Sequence, residues 1–155
     1  MTLRILSFPV ALVLLGALAS PALAIKDGRA KFMGGTIKTI KDEAEGPIDL
    51  THEKHLTFLP QESPSLEISW DRVSQIEYGQ KVARKKATGL LSKSRKHFVT
   101  ITYQDADKKE QAIVLEFSQD DIRMVLASLK ARTLQSIVFQ DDEARKQMGG
   151  AVEKK

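Results

Sequence analysis

The residues of this chain best suited to chemistry with a partner lie in one stretch, KVARKKATGLLSKSRKH, at positions 81–97. It carries Lys81, Arg84, Lys85, Lys86, Lys93, Arg95 and Lys96 with no acidic residue among them, and Leu90 and Leu91 stand in its middle. Near an anionic lipid surface each Lys or Arg contributes about 1 kcal/mol, so the cluster reaches several kcal/mol after discounting those that point away. Leu90 and Leu91 at a loop tip would add apolar burial between headgroups. An acidic protein partner meets the same charges. Nucleic acid is disfavoured, because no aromatic side chain is interleaved with the charges to stack on bases. The plainer reading is a solvated loop that pairs with the protein's own acids, Asp120-Asp121 and Asp141-Asp142-Glu143, across exposed bridges of small net value.

Other candidate chemistry is thinner. THEKH supplies His52, Glu53 and His55. Two histidines at i and i+3 share a face on a helix but not on a strand, and no third ligand is suitably spaced, so surface histidines are expected and no metal. His97 as a general base needs an orienting carboxylate and a nucleophile, and no nucleophile-elbow motif is present. Asp105, Asp107 and Glu110 read as turn residues rather than paired catalytic carboxylates. Gly34-Gly35 lacks the Lys-Ser/Thr partner of a phosphate loop. Trp70 and Tyr78 are placed for core packing, with a ligand slot as the alternative. No catalytic residue and no cofactor is expected.

The context for these residues is export. Residues 1–24, MTLRILSFPVALVLLGALASPALA, join a basic head at Arg4 to an apolar run interrupted by Pro9 and an Ala22-Leu23-Ala24 cleavage signal. This is the pattern of a secretory signal peptide removed after Ala24, and the run is too short for a spanning helix. The mature product is expected to be secreted or periplasmic. It has no cysteine, which excludes disulfides, thiolate metal sites and thiol nucleophiles. Loss of Arg4 lowers the formal charge of +4 by one, too mild a balance for a polyanion partner of the whole molecule; the charge is polarised instead. Residues 25–155 suit one domain.

The elements that must position the basic stretch follow from periodicity. After a polar lead-in, a short strand is expected around 36–41, so that 25–53 forms a lead-in and first strand. HLTF places Leu56 and Phe58 on one face, with Pro60 closing the strand. LEISWDRVSQIEYG sets Leu66, Ile68 and Trp70 on one face, breaks at Asp71-Arg72, and resumes with Ile76 and Tyr78. Residues 97–117 read as an antiparallel hairpin: Val99, Ile101 and Tyr103 alternate on one side of the DADKK turn, and Gln111, Ile113, Leu115 and Phe117 on the other. A helix follows, with Ser118 as cap, Asp121 three residues on, a stripe of Ile122, Val125, Leu126 and Leu129, and Lys130 and Arg132 at its end. SIVF at 136–139 is one more short strand, and 140–155 a charged tail. Strands followed by a segregated helix indicate an α+β domain.

LEISWDRVSQIEYGQK and the segment from KSRKHF to LKART resemble the small exported bacterial proteins with a pleckstrin-homology-like (PH-like, GRAM-like) domain. Leu66, Ile68, Trp70, Val73 and Ile76 carry the first pattern, and the likeness spans about 54–139. In similar chains the stretch before the hairpin is longer, glycine-rich and apolar, whereas here it is short and basic. The resemblance implies a small, strongly bent antiparallel sheet or partly open barrel capped by one C-terminal amphipathic helix. It also implies phospholipid headgroup recognition through Lys85, Lys86, Lys93, Arg95 and Lys96. The resulting expectation is an exported, non-enzymatic binding or scaffold module whose partner is an anionic lipid surface or an envelope protein. The alternatives are a peptide-capturing interaction module that uses a free sheet edge, and a hydrolase built on His97.

Overall fold

The computed structural model describes residues 28–87 and 90–149, with the backbone alone described at 81–87, 90–94, 147 and 149. Strand β1 is Gly28–Gly35, β2 Glu45–Asp49, β3 His55–Phe58 and β4 Leu66–Ser69; a 3-10 turn, Trp70–Arg72, leads into β5, Val73–Ala87. Then come β6 Leu90–Gln104, β7 Glu110–Phe117, helix α1 Ile122–Thr133, β8 Ile137–Phe139, a short helix α2 Asp142–Ala144 and a π-type turn Arg145–Gly149. The strands form one open sheet in the order β4-β3-β2-β1-β7-β6-β5-β8. All pairs are antiparallel except β5 with β8.

That order forces the sheet to roll. β4 and β5 stand at opposite ends of the seven antiparallel strands, yet only Trp70–Arg72 separates them in the chain, and four Cα steps reach at most about 14 Å. The two ends therefore approach one another. The sheet does not close, because β5 gives its second edge to β8 over Ile76–Tyr78.

The inner face of the roll is the core. Ile68 and Trp70, then Ile76 and Tyr78, are buried as their phases predict, and so are Val99, Ile101, Tyr103, Ile113, Leu115 and Phe117. The hairpin expected at 97–117 is present, paired from His97 opposite Phe117 to Gln104 opposite Glu110. Asp105 holds its turn: Oδ1 accepts from the amides of Asp107 at 2.9 Å and Lys109 at 3.0 Å.

Helix α1 covers the roll with the expected stripe, and Ile122, Val125, Leu126 and Leu129 are all fully buried. Each such side chain contributes about 1.5–3 kcal/mol. Its start is tied to Ser118, whose Oγ accepts from the Asp121 amide at 3.1 Å and donates to Asp121 Oδ2 at 2.8 Å. Its end is tied to the β2–β3 connection, where Arg132 Nη2 donates to the Thr51 carbonyl at 3.0 Å. Leu134 closes it in the left-handed conformation.

Three expectations change. The strand placed at 36–41 lies earlier, at Gly28–Gly35, because Gly34 and Gly35 take φ of 133° and 151° and turn the chain out of the ladder. Ile40 then packs into the core from a bend. The stretch read as a polar lead-in supplies β1, which sits between β2 and β7 and buries Ala30 and Phe32. The basic stretch, expected as a loop, continues as paired strand from Lys81 opposite Lys96 to Ala87 opposite Leu90. β2 and the β3–β4 connection press together at Gly46, where a Cβ would lie 2.0 Å from the Leu59 carbonyl oxygen.

Candidate functional site

β5 and β6 are each 15 residues long, but their neighbours are shorter. β7 accompanies β6 only from His97 onward, and β8 accompanies β5 only at Ile76–Tyr78. The segments 81–87 and 90–96 thus form a two-stranded arm that pairs with no third strand among the described residues, about 24 Å long at about 3.4 Å per residue. All seven basic residues of the stretch lie in it.

The register of the arm works against it. Lys81 stands opposite Lys96, and Arg84 opposite Lys93; like charges placed directly across a ladder destabilise it. An isolated two-stranded ribbon is marginal to begin with. Leu90 and Leu91 pair with Ala87 and Lys86 at the start of β6, the end of the arm farthest from the body of the sheet. The side chains of Lys81, Arg84, Lys85, Lys86, Leu90, Leu91 and Lys93 lie outside the described residues; those of Arg95 and Lys96 are described.

At the base of the arm, Arg95 and Lys96 border an open cavity of about 660 Å³ that also meets Arg29, Lys31, Glu45 and Glu116. Lys96 Nζ is 2.9 Å from Glu116 Oε2, and Lys31 Nζ is 3.2 Å from Glu43 Oε2. Two of the four cations are thereby committed to carboxylates, which leaves Arg29 and Arg95 as the basic groups of this cavity outside the ion pairs of the described residues. The base is a mixed surface, whereas the sequence of the arm itself contains no acid.

Immediately beyond the base, the inner face of the ladder holds a polar cluster that strand alternation alone does not reveal. His97 is 1% exposed. Its Nδ1 lies 2.7 Å from Tyr78 Oη, which accepts from Gln80 Nε2 at 2.7 Å. The two rings are nearly parallel, and Tyr78 meets Phe139 of β8 edge-on. Burial, and after it the Arg95 charge, depresses the His97 pKa below its ordinary value. Burial raises that of Tyr78, against the lowering effect of the Gln80 bond. Asp141 clamps the C-terminal turn onto the same place: Oδ2 accepts from the Gln80 amide at 3.0 Å and Oδ1 from the Ala144 amide at 2.6 Å.

The remaining candidates take structural places. No carboxylate hydrogen-bonds His97 among the described residues; its described partner is a phenol held protonated by burial. Asp105 spends its carboxylate on the turn and on Gln111 Nε2 at 2.9 Å, and the Gln111 bond is the largest cause of its lowered pKa. His52 and His55 do come together, which the strand reading did not anticipate, as rings stacked 3.7 Å apart. No group of three potential metal-ligating side chains occurs among the described residues. Trp70 is buried with its Nε1 donating to the His52 carbonyl at 2.9 Å. The Tyr78, Gln80, His97 and Asp141 cluster was missed because its hydrogen-bonded members are up to 61 positions apart; the one signal is that Ile76 and Tyr78, and His97 and Val99, keep the inward phase. No protein-family model matches the chain, and no curated protein matches it.

Proposed function

We propose that the protein is an exported, non-enzymatic binding module of PH-like type that holds an anionic membrane surface through the β5–β6 arm. The observation that carries this reading is the arm's register: seven cations and no acid on a ribbon with no third strand among the described residues, with Lys81 opposite Lys96 and Arg84 opposite Lys93. Repulsion built into a ladder is relieved when phosphate or carboxylate headgroups come between the charges. The PH-like assignment is supported by the antiparallel order β4-β3-β2-β1-β7-β6-β5, rolled at 70–72 and followed by an amphipathic helix. Export rests on the signal-peptide pattern of 1–24, which lies outside the described residues.

Cosedimentation of the protein lacking residues 1–24 with phosphatidylglycerol-containing and pure phosphatidylcholine vesicles tests the reading. Binding to the anionic vesicles alone is expected, with a loss of at least about tenfold in a variant carrying Arg84→Glu, Lys85→Glu, Lys86→Glu and Lys93→Glu. Equal binding to both vesicles, or unchanged binding by the variant, overturns it. Envelope crosslinking that recovers one acidic protein and no lipid-dependent material would move the arm's partner to the protein class.

A further inference from the structure

Away from the arm, a cavity of about 490 Å³ lies at the N-terminal end of α1, walled by His97, Gln119, Asp120, Arg123 and Met148. Its walls come from the start of the β6–β7 ladder, the entry turn of the helix and the C-terminal π-type turn, so folding alone assembles it. His97 is the buried member, and its Nε2 has no hydrogen-bond partner among the described residues. A buried polar group left unpaired is costly and calls for an explanation.

The hydrogen-bond chain behind the ring fixes what Nε2 offers. Gln80 Nε2 donates to Tyr78 Oη, which leaves the phenol proton available to His97 Nδ1. A neutral imidazole that accepts at Nδ1 carries its own proton on Nε2, and burial keeps this ring neutral. In that arrangement the unpartnered atom is a donor. Arg123 in the first turn of α1 adds a charged donor, and the positive end of the helix favours an anion in the same place. Asp120 opposes it: the lining carries one cation and one carboxylate, which penalises a dianion such as phosphate and leaves an acceptor for a cationic or hydroxyl group.

We infer that this cavity is a binding site for a small zwitterion of the amino-acid type. Its carboxylate accepts from His97 Nε2–H and Arg123, and its ammonium group meets Asp120. The volume is within the range of small-molecule pockets. Nε2 is closed off from water, and Met148, an unbranched and adaptable side chain that is 3% exposed and lines the same cavity, is the group whose movement would admit the occupant. The site uses no residue of the arm and stands or falls independently of membrane binding.

Imidazole 15N spectra of the protein test the site, with His97 assigned through a His97→Gln variant and the sample titrated with glycine, L-leucine, L-glutamine, sodium acetate and inorganic phosphate. The expected result is an Nε2–H tautomer at His97 and a saturable shift of its Nε2 signal with at least one amino acid. Acetate binds more weakly than that amino acid, and phosphate produces no saturable shift. Arg123→Gln, on the exposed side of the helix, weakens the binding by about tenfold or more, and Met148→Ala tightens it. The inference is overturned by an Nδ1–H tautomer, by phosphate binding as well as the amino acids, by equal affinity in R123Q, or by the absence of a saturable shift with every amino acid in both the wild type and M148A.

Discussion

The Tyr78 hydroxyl stands 2.7 Å from Nδ1 of His97, two inward-facing residues of neighbouring strands joined inside the core. Tyr78→Phe keeps the ring and its edge-on contact with Phe139 but removes the hydroxyl, leaving buried Nδ1 without a donor. A loss of about 1–3 kcal/mol in unfolding free energy is expected. Urea denaturation of Y78F measures it, and an unchanged midpoint would show that the bond contributes nothing net.

Stability is expected to fall with acid in a window set by His97. Its folded pKa lies below the ordinary 6.5 because of burial and then Arg95. The unfolded chain thus takes up a proton near 6.5 that the folded chain refuses, so this contribution is complete above that pH and is lost as the pH falls from there through the lower folded pKa. Tyr78, Arg95, Asp120 and Arg123 are the polar and charged groups disposed around the ring. Urea unfolding at about pH 7.5 and about pH 5.5 should show a decline in the wild type that is smaller in His97→Gln. Equal declines in the two proteins would assign the effect elsewhere.

The arm pairs with no third strand among the described residues and should be separable from folding. Replacing 83–94 by a tight Asn-Gly turn joins Val82 to Arg95, which are already partners in the ladder. The shortened protein is expected to keep its unfolding free energy within about 0.5 kcal/mol while losing binding to anionic vesicles. A large fall in stability would make the arm part of the folding unit.

Asp141 joins the C-terminal turn to β5 through the amides of Ala144 and Gln80. Asp141→Ala removes a helix cap and an interstrand acceptor together, at an expected cost of about 1–2 kcal/mol. Hydrogen exchange should quicken at both amides; quickening at Ala144 alone would confine its role to the cap.

At Gly46 the space for a side chain is taken by backbone, with the Leu59 carbonyl oxygen 2.0 Å from where a Cβ would lie. No rotamer change relieves a clash with a carbonyl, so Gly46→Ala is expected to lose more than about 3 kcal/mol. Thermal denaturation gives the comparison, and a loss below about 1 kcal/mol would mean that β2 and the 59–60 segment separate readily.

Much of this architecture was legible in short stretches. Helix α1 announced itself through Ser118, Asp121 and the stripe from Ile122 to Leu129, and the β6–β7 hairpin through alternation on both sides of DADKK. β1 was not legible, because Gly34-Gly35 reads as a boundary without showing on which side the strand lies. The arm was hidden for another reason: a run of cations suggests solvent, whereas ladder pairing with 90–96 depends on a partner strand that composition does not reveal.

The sequence by itself determined the α+β class, the inward residues of most strands, the helix with its ends, the absence of thiol chemistry and the location of the basic cluster. These properties depend on neighbours two to four positions away, where side-chain periodicity is set. Only the tertiary structure decided that β1 lies between β2 and β7, that β8 runs parallel to β5, and that the sheet rolls at Trp70–Arg72. It also decided that the donor chain from Gln80 through Tyr78 ends at a histidine facing Arg123 across a cavity. Those contacts join residues tens of positions apart, and which of them form is settled by the burial of the whole core against the entropy of closing the chain between them.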